Sequence, residues 1–154
     1  MQYFTEEARR GNFFSPEQKQ KWEQVCLDYQ QRFRGLESRL NKKVFNFYTK
    51  RDFHDFRLVN FQVIHGQVGE KNPVQVVLQL TDEEETWTLT YRKVRGLEMD
   101  FSQKEAYRGF EDVLYEEILD IDEHNMSHEL FFASETSLRI AFPNKAMKMT
   151  RARS

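Results

Sequence analysis

Near Asn41 the hydrophobic period of this chain changes from that of a helix to that of a strand, and the change constrains its class. Upstream, Trp22, Val25, Cys26, Tyr29, Phe33, Leu36 and Leu40 recur at helical spacing on one stripe, with Lys19, Glu23, Gln30, Arg34 and Glu37 facing away. Ser15 suits the N-cap, Pro16 the first helical position, and Gln18 completes a capping box. Together they predict a helix over 16–41, weakened near its end by Gly35. Downstream, Leu58, Asn60, Gln62 and Ile64 alternate with Val59, Phe61, Val63 and His65, and the run closes at Gly66 to Pro73. Val74–Leu80 and Thr86–Val94 follow across an acidic turn; Trp87, Leu89 and Tyr91 share one face of the second. Val113–Asp122, His128–Ala133 and Ser137–Phe142 read as three more strands, with Met147 and Met149 extending the last edge. At 97–110 the pattern is ambiguous, and 103–109 fits a loop or one helical turn.

The expected fold is therefore α+β: a long N-terminal helix packed on a mostly antiparallel sheet of six to seven strands. A single domain over 1–154 is expected, with 1–14 a leading segment and 145–154 a frayed basic tail. One cysteine, Cys26, excludes an internal disulfide framework. Mean hydropathy is −0.79, no apolar run reaches the length of a membrane helix, and the opening MQYFTEEARRGNFF lacks a signal pattern. These features predict a cytoplasmic protein with no membrane partner.

Charge is unevenly spread. Residues 111–135 carry nine acids and no Lys or Arg, and 136–154 carry five bases and no acid. If the acids point outward, they form a surface suited to a basic protein and unsuited to nucleic acid. The candidate contact residues are Glu111, Asp112, Glu116, Glu117, Asp120, Asp122 and Glu123. The competing reading is that acidic and basic blocks neutralise each other across neighbouring strands.

Two clusters invite chemistry. His124 and His128 stand four residues apart, which on a helix would present both imidazoles to one metal. Asn125 and Ser127 instead suggest a turn between strands, and the order is not the H-E-x-x-H of a metalloprotease. A calcium loop fails too, because His124 and Asn125 occupy positions that need an oxygen ligand and a Gly. The second cluster is Asp52 to Phe56. Asp55 beside His54 could set an acid–base pair, or the segment is a capped turn that inserts Phe53 and Phe56 into the core. A metal site built from His54, Asp55, His124 and His128 would require those side chains to converge. No nucleophile elbow or Gly-rich phosphate loop occurs, and Cys26 lies on the helix stripe as an inert thiol. No cofactor is expected.

The text FHDFRLVNFQVI at 53–64, and Leu114 to Glu117 followed by Ser127 to Phe132 and a closing strand, resemble small proteins of Bacillus-type Gram-positive bacteria. Those families are domains of unknown function, some found near toxin–immunity loci. The resemblance implies a bacterial cytosolic protein with an immunity-like role and supplies no mechanism. Here Val113-Leu114 replaces an aromatic, and Ala133 to Thr136 lacks the Gly of the family's hairpin.

Three functional expectations follow. The first is a non-catalytic protein-binding domain using the acidic sheet surface. The second is a small metal-assisted hydrolase on the histidine–aspartate set, and the third a structural or oligomerising domain.

Overall fold

The computed structural model describes residues 1–11, 15–101 and 108–153; the loop-or-helix reading of 103–109 falls mostly outside them. Pro16 opens the main helix, α2 (Pro16–Arg34), after a short α1 (Glu6–Arg9). Ser15 is extended as an N-cap should be, but its side chain makes no capping bond. The helix stops at Arg34, seven residues before the expected end at 41, where the Gly35 N–H donates to the Arg32 carbonyl and the Leu36 N–H to that of Phe33. A 3₁₀ turn at Glu37–Arg39 follows, so Leu36 and Leu40 still reach the core, at 3% and 1% exposure, without the helix continuing. A further helix, α3 (Lys42–Tyr48), buries Val44 and Phe47.

The strands are β1 (Arg57–His65), β2 (Val74–Thr81), β3 (Glu85–Tyr91), β4 (Gly96–Asp100), β5 (Val113–Asp120), β6 (Asn125–Phe132), β7 (Ser137–Pro143) and β8 (Met147–Arg153). The expected single sheet of six to seven strands is instead two four-stranded antiparallel sheets, ordered β1-β2-β3-β8 and β4-β7-β6-β5. The tail is not frayed through 153. β8 pairs along β3 from Met147 opposite Tyr91 to Arg153 opposite Glu85. Its alternation explains why: Met147 and Met149 are buried, while Lys148 and Thr150 face out.

Inward-facing residues of both sheets meet in one core. Val76, Leu78, Leu80, Leu89 and Met147 come from the first sheet, and Ile118, Met126, Leu130, Ile140 and Phe142 from the second. Phe53 and Phe56 insert from the turn after α3, as the turn reading of that segment predicts. Each such side chain contributes roughly 1.5–3 kcal/mol by leaving water.

The stripe of α2 divides. Phe33 is buried, but Trp22, Val25, Cys26 and Tyr29 remain half-buried and Leu27 is exposed. Tyr29 accepts the Ile118 N–H at 2.8 Å and Arg32 pairs with Asp120 at 3.0 Å, so the C-terminal half of α2 is fastened to β5. No helix among the described residues is long and apolar enough to cross a membrane.

Candidate functional site

Four side chains from four elements, three strands of the two sheets and α3, close a polar network inside the core. Glu116 on β5 and His128 on β6 both follow the inward phase of their strands, alongside Ile118 and Leu130. Tyr91 ends β3 and Tyr48 ends α3. His128 Nε2 lies 2.9 Å from Glu116 Oε1, and Tyr91 Oη 2.6 Å from His128 Nδ1. The Tyr48 hydroxyl donates to Glu116 Oε1 at 2.8 Å, and the Phe53 N–H donates to Oε2 at 2.6 Å. Burial pushes the Tyr48 and Tyr91 hydroxyls well above the usual phenol range, with the Glu116 charge adding to it, so both remain donors. The bonds fit an imidazole that donates from Nε2 to Glu116 and accepts the Tyr91 hydroxyl at Nδ1. A proton on Nδ1 would leave the Tyr91 hydroxyl without its acceptor. Every polar atom of the network is engaged, and His128 is 0% exposed.

Glu116 and Tyr48 also line a cleft of about 560 Å³ between α2, the turn after α3 and β5. Its walls are aromatic: Phe4, Trp22, Tyr29, Phe33, Tyr48 and Tyr115. Phe4 is held against Trp22, Tyr29 and Tyr115 at centroid distances of 5.5, 5.3 and 5.8 Å. The Cys26 thiol faces the same space, pushed up by burial and by Glu23. At the rim stand Arg34, Lys50, Arg51, Asp52 and His54. Arg51 is committed to Glu85 at 2.8 Å and lies over Phe47 and Phe56. Asp52 accepts the His54 N–H at 3.0 Å.

The leading segment builds one wall. Backbone N–H groups of Gln2, Tyr3 and Phe4 all donate to Glu117, at 2.8, 2.7 and 2.6 Å, and Arg9 lies 3.8 Å over the Phe131 ring. Glu117 is thereby 1% exposed although it points to the opposite face of β5 from Glu116.

The expected acidic face does not form. Glu116 and Glu117 are buried acceptors within the fold. Asp112 takes the Arg57 guanidinium at 3.2 Å. Burial opposes ionisation of Asp120, but its hydrogen bond and ion pair with Arg32 win and hold the carboxyl below the usual range. Asp122 accepts the His124 and Asn125 N–H groups, each at 2.8 Å, which caps the β5–β6 turn and lowers its pKa. Glu111 sits in a turn at φ 62° and Glu123 is exposed beside His124, with the whole of β5 between them.

The four residues of the metal reading do not converge either. His54 lies in the exposed turn after α3, with Nδ1 3.0 Å from the Leu114 carbonyl and Nε2 3.4 Å from Asp55. His124 is in the β5–β6 turn, and His128 is sealed in the core. Among the described residues no three His, Cys, Asp or Glu side chains are gathered as a metal requires.

Sequence reasoning did not assign Tyr48, Tyr91 or the cleft aromatics a role. Strand parity carried a signal for Tyr91, which shares a face with Trp87 and Leu89, and nothing local marked Tyr48. No protein-family model and no curated protein matches the chain.

Proposed function

We propose that this chain is a non-catalytic binding domain whose ligand sits in the cleft between α2 and β5. One observation carries the reading. The apolar stripe of α2 is only partly spent on the core, and its unburied half, Trp22, Cys26 and Tyr29, faces a cavity of about 560 Å³. That size is within the roughly 300–1,000 Å³ of small-ligand sites. Catalysis is disfavoured because the Glu116–His128 pair beside the cleft is saturated and its histidine sealed. The proposal moves the binding surface away from the acidic residues, five of which are buried or engaged within the domain.

The test uses N-phenyl-1-naphthylamine, a neutral fluorophore that brightens in apolar sites. The intact protein should show a saturable one-to-one rise. Cys26→Trp fills the cleft, and Gln30→Trp does so from an exposed position that folding tolerates; each should abolish the rise while the unfolding midpoint is kept. No saturable rise, or the same rise in Gln30→Trp as in the unaltered protein, overturns the reading.

A further inference from the structure

Two rim cations lack an ion-pair partner among the described residues. Glu116 and Asp52 keep their charge, but their acceptor atoms are turned to groups within the fold, Glu116 to Tyr48, His128 and the Phe53 N–H and Asp52 to the His54 N–H. Arg51 is held by Glu85. Arg34 and Lys50, both exposed, have no ion-pair partner among the described residues. The carbonyl ends of α2 and α3 lie at the same rim and work against an anion, so both cations are needed to favour one. Below the rim the walls are ring faces and edges. Phe4 and Tyr115 lie 24° from parallel, and Trp22 meets Tyr115 at 71°. Such walls match another ring system in offset or edge-on contact, whereas a flexible chain would lose rotamer freedom on entering.

Resting on the cleft reading above, we propose that the ligand is an aromatic anion: a ring system against Trp22, Tyr29 and Tyr115, with an anionic group paired to Arg34 and Lys50. The anion supplies the charge that the two side chains lack, and the ring fills the space that α2 leaves open.

Two probes with the same rings separate the claims. 8-Anilinonaphthalene-1-sulfonate differs from N-phenyl-1-naphthylamine by one sulfonate. It should bind about tenfold more tightly, the effect of two partly exposed ion pairs. In Arg34→Gln/Lys50→Gln the sulfonate probe should fall to the affinity of the neutral one, whose own binding should not change. Octane-1-sulfonate should compete at least about tenfold more weakly than the aromatic sulfonate, a margin of the size one ring contact provides.

Equal binding of the two fluorophores overturns the anionic assignment and leaves the cleft reading standing. Unchanged sulfonate affinity in the double variant removes Arg34 and Lys50 as the headgroup site. Equal competition by octane-1-sulfonate overturns the aromatic assignment. If neither probe responds to Gln30→Trp, the cleft reading itself fails.

Discussion

Replacing Glu116 with Leu should be among the most damaging single changes in this fold. The carboxylate holds Tyr48 Oη at 2.8 Å, His128 Nε2 at 2.9 Å and the Phe53 N–H at 2.6 Å. His128 and Phe53 are 0% exposed, so at least these two donors would be stranded. Each stranded donor costs roughly 1–3 kcal/mol, which sets the expected loss at about 4 kcal/mol. Glu116→Gln keeps one acceptor and turns an amide N–H toward a donor, for about 2 kcal/mol. Glu116→Leu/His128→Phe should lose about 2 kcal/mol less than the sum of its single changes, because the donor stranded by one is deleted by the other. Urea unfolding followed by circular dichroism measures all five proteins, His128→Phe and the unaltered chain included, and comparable m-values confirm that the same transition is being compared. A loss below about 1 kcal/mol for Glu116→Leu, or strict additivity in the double variant, would refute the network as described.

Three other outcomes follow from the same structure. Burial raises the pKa of Tyr29, Tyr48 and Tyr91, so these neutral phenols stabilise the fold below the unfolded phenol pKa of about 10 and that contribution is lost as pH rises through the folded values. Phenolate absorbance should show these three of the six tyrosines ionising only as the chain unfolds; their titration in the native state contradicts this. The Trp87 indole N–H, with Arg51 and Arg151, holds Glu85 below 4.5, so its stabilisation is complete above that value and fades as pH falls through the lower folded pKa. The stability gap between the unaltered protein and Glu85→Gln should narrow across that acid window, and a pH-independent gap would count against the assignment. Glu117→Ala should deprotect the amides of Gln2, Tyr3 and Phe4 in hydrogen exchange while β6 amides keep their protection, since one carboxylate holds all three.

The elements legible in the sequence were those whose faces are set by neighbouring residues. Alternation in Trp87, Leu89 and Tyr91 gave the inward side of β3, and Pro16 gave the start of α2. Alternation says which way a side chain points and not which strand lies beside it, so one sheet could not be told from two. β4 and α3 have five and seven residues, too few for a period to rise above noise. β8 looked like a frayed basic tail because Lys148, Thr150 and Arg151 are exposed, the kind of residues an edge strand uses against unwanted pairing. The acidic block misled because counting charge treats nine carboxylates as one surface. In the fold they have separate tasks: a core acceptor, an anchor for the leading segment, a helix partner and a turn cap. Glu117 shows the limit most clearly, since its donors lie more than a hundred residues away in the chain.

The uneven fastening of α2 gives the cleft a mechanical consequence. Phe33 in the core, Tyr29 on Ile118 N–H and Arg32 on Asp120 secure the C-terminal half of the helix. Earlier in the helix, Trp22 rests on Phe4 and Tyr115, and Leu27 is 58% exposed. A helix of this length gains most of its stability from packing, so the loosely packed half should open more readily than the rest. A ligand against Trp22, Cys26 and Tyr29 adds the missing contacts and stabilises only the closed form, by an amount that grows with the ratio of its concentration to its Kd. Saturating N-phenyl-1-naphthylamine should therefore slow hydrogen exchange at 20–28 by about tenfold or more at ten times Kd, with the amides of β2 and β3 unaffected. Uniform slowing across the chain would mean that the probe stabilises the fold as a whole, and slowing centred on the β1 edge would place it elsewhere.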